Sequence, residues 1–259
     1  MATVILDERP KLEADHPCFG CAIRLISICG VLASDELREF RQTGTTVRHK
    51  AGTTIFFEGD AADSVYTLTS GTLRLSKLLP DGRRQITGFL VTGDFLGLAM
   101  NESYAYSAET VTQTSLCRFP RRKMEALLDE FPKMQRRLFS MASNELAAAQ
   151  DQMLLLGRKT AREKICSFLL MLAQRQSRRG HKDNPVYVPM SRADIADYLG
   201  LTKGTVSQTL LLLDRRRAVA GGGACRRSRR ECRRRDPELF LEHLDKFGDL
   251  QDRLLLDRV

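Results

Sequence analysis

No stretch of the 259 residues runs about 18 apolar positions without a break, so nothing here reads as a membrane-spanning helix. The leading MATVILDERPKLEADHP lacks the basic-then-apolar order of a secretory leader, which makes a cytoplasmic location the expectation. No Gly-x-Ser-x-Gly occurs and His49 stands apart from any nucleophile, so no catalytic constellation is visible and an enzyme is not expected. Acids such as Glu58 and Asp60 sit in turns, where carboxylates commonly cap backbone amides. Structural disulfides are not expected either. The seven cysteines of a cytoplasmic chain read as ligands, redox groups or buried thiols. The surplus of positive charge lacks any spread: residues 215–235 hold ten arginines, no lysine and one acid, which alone equals the net +9 of the whole chain.

Residues 1–17 show no periodicity and read as a mobile arm. The first pattern present is CFGCAIRLISIC, in which Cys18, Cys21 and Cys29 stand C-x2-C-x7-C. A C-x2-C pair can put two thiolates on one metal or cluster, and a third nearby can join them. Tetrahedral zinc or a four-iron cluster needs one ligand more, and Cys117 is the only other cysteine ahead of the long helix. On spacing alone zinc, an iron–sulfur cluster, a redox dithiol and unrelated thiols all stay open.

From Val47 to Phe119 the texture turns to short β segments. Stretches 53–57, 64–69, 72–77, 85–90 and 108–119 alternate or are β-branched, with glycines between them and a PDGR turn at 80–83. Short antiparallel strands at this spacing predict a barrel or jelly roll that binds or scaffolds. From Arg121 the pattern is helical and runs on past Pro132 to about Gly157. Phe139, Ala142, Leu146, Ala149, Met153 and Leu156 recur at alternating spacings of three and four, the 3.5-residue period of a two-stranded coiled coil. Small residues on that seam favour close pairing of two chains. A further amphipathic helix covers 157–174, with Ile165, Phe168, Leu169 and Leu172 inward and Cys166 at its edge, and a short strand is expected at 185–189.

Next comes MSRADIADYLGLTKGTVSQTLLLLDRRR, residues 190–217. Ser191 with Asp194 forms a capping box, and Gly200 can take the positive φ that ends a helix. Thr202 can cap a second helix with Val206, Leu210 and Leu213 inward. Two such helices on a short turn predict a DNA-binding helix-turn-helix, with Lys203, Gly204, Ser207 and Gln208 facing a major groove and Arg215 opening the basic block beside phosphate. Two ordinary amphipathic bundle helices are the bland alternative. The +9 block at this position favours nucleic acid.

In this order the chain resembles the Crp–Fnr superfamily of bacterial transcription regulators over roughly residues 16–245. The resemblance is carried by FFEGD at 56–60, SGTLRLSKLLPDGRRQITGFLVTGDFLG at 70–97, QDQMLLLGRKTAREKICSFLL at 150–170 and the helix-turn-helix. It implies an α+β protein: a cysteine-bearing arm (1–30), an antiparallel, cyclic-nucleotide-binding-like sensory β-barrel or jelly roll (31–120), a long dimerisation helix (121–157), a C-terminal winged helix-turn-helix (158–245) and a tail (246–259). The cysteines resemble those of the Fnr/FnrN-like oxygen-sensing branch, which implies a [4Fe-4S] cluster on Cys18, Cys21, Cys29 and Cys117. It also implies a homodimer that activates anaerobic or microaerobic genes, such as those of respiration or nitrogen fixation, by binding palindromic double-stranded DNA while the cluster is intact. The hairpin at Asp81, Gly82, Arg83 and Arg84 matches a surface that contacts RNA polymerase in relatives.

Three features depart from the family. Tyr106 stands where nucleotide-binding members place an arginine, so no cyclic nucleotide is expected. The recognition helix has Gly204 and Gln208 in place of the usual E-x-x-S-R, and the tract at 221–235, with Cys225 and Cys232, lacks the apolar alternation of a wing. Two further readings are a cluster-free regulator using zinc or redox thiols, and a ligand-binding module that never meets DNA.

Overall fold

A computed structural model describes residues 16, 18–97, 102–177 and 186–220, and the chain divides into two compact units, Met1–Gln150 and Asp151–Val259. The first unit opens with the cysteine segment, which ends in a 3-10 turn, Ile28–Val31, and then α1, Ser34–Gln42. Eight strands follow: β1 Thr45–His49, β2 Thr54–Phe56, β3 Ser64–Ser70, β4 Thr72–Leu78, β5 Arg84–Val91, β6 Phe95–Leu96, β7 Ser107–Thr110 and β8 Thr114–Pro120. All pair antiparallel, in two four-stranded sheets of order β1-β8-β3-β6 and β2-β7-β4-β5. The expected barrel or jelly roll is thus the open form: two facing sheets rather than one closed ring.

Between the sheets lies a core of Phe56, Tyr66, Leu68, Leu73, Leu90, Leu96, Ala108 and Leu116. The other face of the first sheet is buried too. Side chains alternate across a strand, so Leu116 points between the sheets while Cys117 and Phe119 of the same strand join a second cluster. That cluster gathers Ile28 and Leu32 of the cysteine segment, Leu37 and Phe40 of α1, Val65, Phe119, and Met124 and Leu127 of α2, Arg121–Glu130.

Two local expectations need correction. The stretch 108–119 is two strands in different sheets, β7 and β8, because the chain turns at Val111 to Gln113 to change layers. The helix from Arg121 breaks at Phe131, which takes φ −112° and ψ 83°. A residue before proline is pushed off the helical region, and proline, having no N–H, is well placed to open the next helix. That helix, α3, spans Pro132–Arg158.

In the second unit, α4 (Ala161–Ser177), α5 (Arg192–Leu199) and α6 (Lys203–Ala220) enclose Ile165, Phe168, Leu169, Leu172, Ile195, Ala196, Leu199 and Val206. Residues 186–189 form no strand, and the rest of that expected strand lies outside the described residues, as does the expected wing. No described helix is long and apolar enough to cross a membrane.

Gly44 is required by space. A Cβ there would stand 2.3 Å and 2.5 Å from ring atoms of Phe119, whose ring packs on Phe40 with centroids 4.4 Å apart. Overpacking a filled core costs about 1–3 kcal/mol. A Gly44→Ala chain should therefore lose about that much stability, read as a lower urea midpoint for the first unit.

Candidate functional site

The arm, the first sheet and the foot of α3 bring four thiols to one neighbourhood. Cys18, Cys29 and Cys117 pack on the second core cluster, as do Leu138 and Met141 of α3. Cys18 interacts electrostatically with Cys29, Cys21 and Cys117; Cys29 with Cys21 and Cys117; and Cys117 with Cys21. All six pairs of the expected ligand set thus lie within electrostatic range of one another. All four are free thiols, half-buried.

Their surroundings oppose charge. Burial, with Cys29 and Cys21 beside it, pushes the Cys18 thiol from the ordinary 9.0 to about 11, against the pull of Arg41. Burial also raises Cys29, opposed by the hydrogen bond it shares with Ser27, and raises Cys117, opposed by Arg41 and by the neighbouring Thr46 hydroxyl. Desolvation disfavours the thiolate wherever no counter-charge offsets it. His16 accepts a hydrogen bond from the Cys18 amide at its Nδ1, 3.0 Å away, so the neutral ring carries its hydrogen on Nε2. That Nε2 is buried without a partner. Among the described residues no three His, Cys, Asp or Glu side chains converge closely enough to share a single metal ion.

Residue spacing did not reveal the groups that tie this neighbourhood together. Arg137 of α3 donates from Nη2 to the Ile26 carbonyl at 2.9 Å, across 111 positions of sequence, and its buried Nε has no partner. Arg41 and Thr46 were missed as well. Only Ser27, lying inside the C-x7-C spacing, carried a signal: a hydroxyl between two candidate ligands.

On α3 the expected seam is laid bare. Phe139, Leu146 and Met153 are 75%, 62% and 71% exposed, Ala142 and Ala149 are exposed, and Leu156 is half-buried. Met134, Leu138 and Met141 pack against the cysteine neighbourhood, so the seam occupies an adjoining face.

The helix-turn-helix is built as its residues suggest. Ser191 Oγ accepts from the Asp194 amide at 3.1 Å while Asp194 accepts from the Ser191 amide at 3.1 Å. Gly200 ends α5 at φ 60°, ψ 44°. Thr202 Oγ1 then accepts from the Thr205 amide at 3.0 Å to start α6. Val206 is fully buried; Lys203, Gly204 and Gln208 are exposed and Ser207 is half-buried. Arg215 falls within α6, but its side chain lies outside the described residues, as do Cys225, Cys232 and the tract at 221–235.

The remaining candidates sit on the sheets. The β4–β5 hairpin exposes Asp81, Gly82 and Arg83, with Arg84 half-buried where the hairpin closes, and Asp81 holds the Arg83 guanidinium at 2.7 Å. Inside the sandwich Phe56 stacks on Tyr104 with centroids 3.6 Å apart, and Tyr106 lies 5.9 Å from Phe56, its hydroxyl pushed up by burial. Arg74 is committed to Glu109 across β4 and β7.

The chain matches the family model for the cyclic nucleotide-binding domain over residues 46–131 and that for the Crp-like helix-turn-helix domain over 163–232. It is 44% identical over 200 residues to the nitrogen fixation regulation protein FixK of Bradyrhizobium diazoefficiens, covering 77% of this chain and 84% of that one. It is 37% identical over 204 residues to the transcriptional activator protein FnrL of Cereibacter sphaeroides, covering 77% and 82%. Among solved structures it is similar to FixK2 from Bradyrhizobium japonicum, with 37% identity, a TM-score of 0.60, and 70% and 89% of the two chains covered. With a sandwich, a long helix and a capped helix-turn-helix in that order, the chain belongs to the Crp–Fnr superfamily of DNA-binding transcription regulators.

Proposed function

We propose that this regulator senses oxygen through a [4Fe-4S] cluster held by Cys18, Cys21, Cys29 and Cys117, and that cluster state controls pairing of two chains on DNA. The observation that carries this reading is the electrostatic proximity of all four thiols, three of them packed on a core shared with the foot of α3. The donor set fits the group. Four unbridged cysteines supply the thiolates a cluster needs, and an orphaned imidazole N–H beside Cys18 suits a sulfur-rich neighbour.

When bound, the cluster would supply a common anchor that oxygen can remove. The protein supplies the rest. Convergence of four ligands orders the cysteine segment, since metal binding energy is available to the fold only when the ligands meet. The ordered segment packs on Met134, Leu138 and Met141, and Arg137 clasps its Ile26 carbonyl. An exposed apolar stripe at heptad spacing asks for a partner, and a second copy provides the matching one. Pairing sets two recognition helices for a palindrome, with Lys203 on phosphate and Ser207 and Gln208 on base edges. The exposed 81–84 hairpin is the surface we assign to RNA polymerase. FixK and FnrL are named as a regulation protein and a transcriptional activator, which supports activation as the outcome. A sandwich interior occupied by Phe56, Tyr66 and Tyr104, with Tyr106 neutral, favours use without a cyclic nucleotide.

Anaerobic isolation should yield a brown dimer with about four iron and four sulfide per chain, turning colourless and monomeric in air. Metal and sulfide analysis with sedimentation tests this, and a colourless chain holding zinc overturns it. Cys117→Ser should lower iron content and abolish the response of subunit pairing to air. Leu146→Glu places a charge on the seam, so the loaded chain should sediment as a monomer and fail to shift a palindromic duplex while keeping its iron. Because the Cys18 thiol is raised to about 11, it is protonated at neutral pH and must lose its proton to ligate. Iron uptake should therefore release protons and tighten as pH rises from 7 toward 9, measurable by pH-stat titration.

A further inference from the structure

Two hydroxyls outside the ligand set lie beside it. Ser27 is 0% exposed, and its Oγ stands 3.0 Å from the Cys29 sulfur and 3.3 Å from the Arg24 carbonyl. A serine has a single hydrogen to give. While Cys29 keeps its own proton, Cys29 can donate to Ser27 and Ser27 to the carbonyl. A sulfur that ligates iron has no proton left, so the serine hydrogen is then the one that must bridge the pair.

Thr46 stands directly opposite Cys117 in the β1–β8 register, on the same face of the sheet, and its hydroxyl opposes the upward shift that burial gives that thiol. Arg41 orients it: one guanidinium nitrogen donates to Thr46 Oγ1 at 2.7 Å and the other to the Gly44 carbonyl at 2.7 Å. A guanidinium only donates. Thr46 oxygen therefore accepts from Arg41, and its own hydrogen is left for Cys117.

We propose that Ser27 and Thr46 are positioning residues of the iron–sulfur site, donating to the Cys29 and Cys117 sulfurs, with Arg41 holding Thr46 in register; this rests on the cluster reading above. Hydrogen bonds to cluster sulfurs draw electron density off them, which raises the reduction potential and strengthens retention. The two hydroxyls act on ligands from different parts of the chain, one on the arm and one on β8. Each therefore steadies one end of the bridge between arm and sandwich.

The test uses the full chain and its Ser27→Ala, Thr46→Val and Thr46→Ser variants, each reconstituted anaerobically with iron and sulfide. Brown absorbance is followed under excess chelator without oxygen, and the reduction potential is measured by dye titration. Ser27→Ala and Thr46→Val should lose iron about 10-fold faster than the parent, the usual scale for outer-shell partners of a metal site, and show a more negative potential. Thr46→Ser keeps the hydroxyl and should behave as the parent. Thr46 lies at an exposed strand edge, so its variants keep the test open if Ser27→Ala disturbs the buried turn. Parental rates and potentials in both Ser27→Ala and Thr46→Val overturn the proposal, and a Thr46→Ser chain as labile as Thr46→Val overturns its Thr46 half. A parent chain that never takes up iron overturns the cluster reading instead, and that result appears before any variant is compared.

Discussion

The outer face of the β1-β8-β3-β6 sheet has to be covered, and the way it is covered decides how this regulator can work. Val65 and Phe119 point away from the sandwich interior and would otherwise meet water. They are covered by Ile28 and Leu32 from the cysteine segment, Leu37 and Phe40 from α1, and Met124 and Leu127 from α2, with Met134 of α3 completing the layer. One apolar cluster thus joins the element that carries three candidate ligands, the strand that carries the fourth, and the helix whose free face bears the seam. Burial is non-directional, so by itself this cluster would hold the segment in many near-equivalent poses. The directional groups select among them: Arg137 on the Ile26 carbonyl, Ser27 on Cys29 and the Cys117–Thr46 pair.

On the proposed cluster reading, this combination gives the site two physical states. Without a metal, burial favours the neutral thiol at Cys18, Cys29 and Cys117, and the segment is held by its hydrophobic contacts and the Arg137 clasp. With a cluster bound, the same sulfurs would carry charge in a poorly solvated place, offset by iron, Arg41 and the two hydroxyls. Neither state demands a new fold. A response needs only a change in how firmly the segment presses on Met134, Leu138 and Met141, a small difference of the size that shifts populations rather than rebuilds structure.

Local pattern was enough wherever local physics decides. The Ser191–Asp194 box, the positive φ of Gly200 and the Thr202 cap are contained within a dozen residues, and they take the expected forms. Of the residues at heptad spacing on α3, Phe139, Leu146 and Met153 are exposed and Leu156 is half-buried. What depends on distant partners was not legible. Nothing in the neighbourhood of Arg41 announces that a strand turn carries Thr46 under its guanidinium and opposite Cys117. Nothing near Arg137 points to a carbonyl 111 residues earlier. The division of 108–119 between two sheets was hidden for a similar reason: both halves have strand character, and only the packing of the second sheet decides where the chain must turn.

The DNA-reading end makes pairing more consequential here than in a chain with stronger base contacts. Gly204 has no neighbour nearer than the Thr202 hydroxyl, 3.7 Å from where a Cβ would lie, so packing does not demand a glycine at that position. Glycine there brings no side chain to a groove, and glycine in a helix costs up to about 1 kcal/mol relative to alanine. Gln208, neutral, offers a paired hydrogen bond to adenine but no charge for phosphate or guanine. On the proposed assignment each recognition helix has modest directional contacts from Lys203, Ser207 and Gln208, while the arginines from Arg215 onward add charge that holds phosphate without choosing a sequence. Two copies on one duplex gain through proximity what each lacks in contacts. On the proposed reading, charge supplies affinity without sequence choice, so selection of a palindrome rests on pairing two recognition helices along the α3 seam, whose neighbouring face carries Leu138 and Met141 against the cysteine segment.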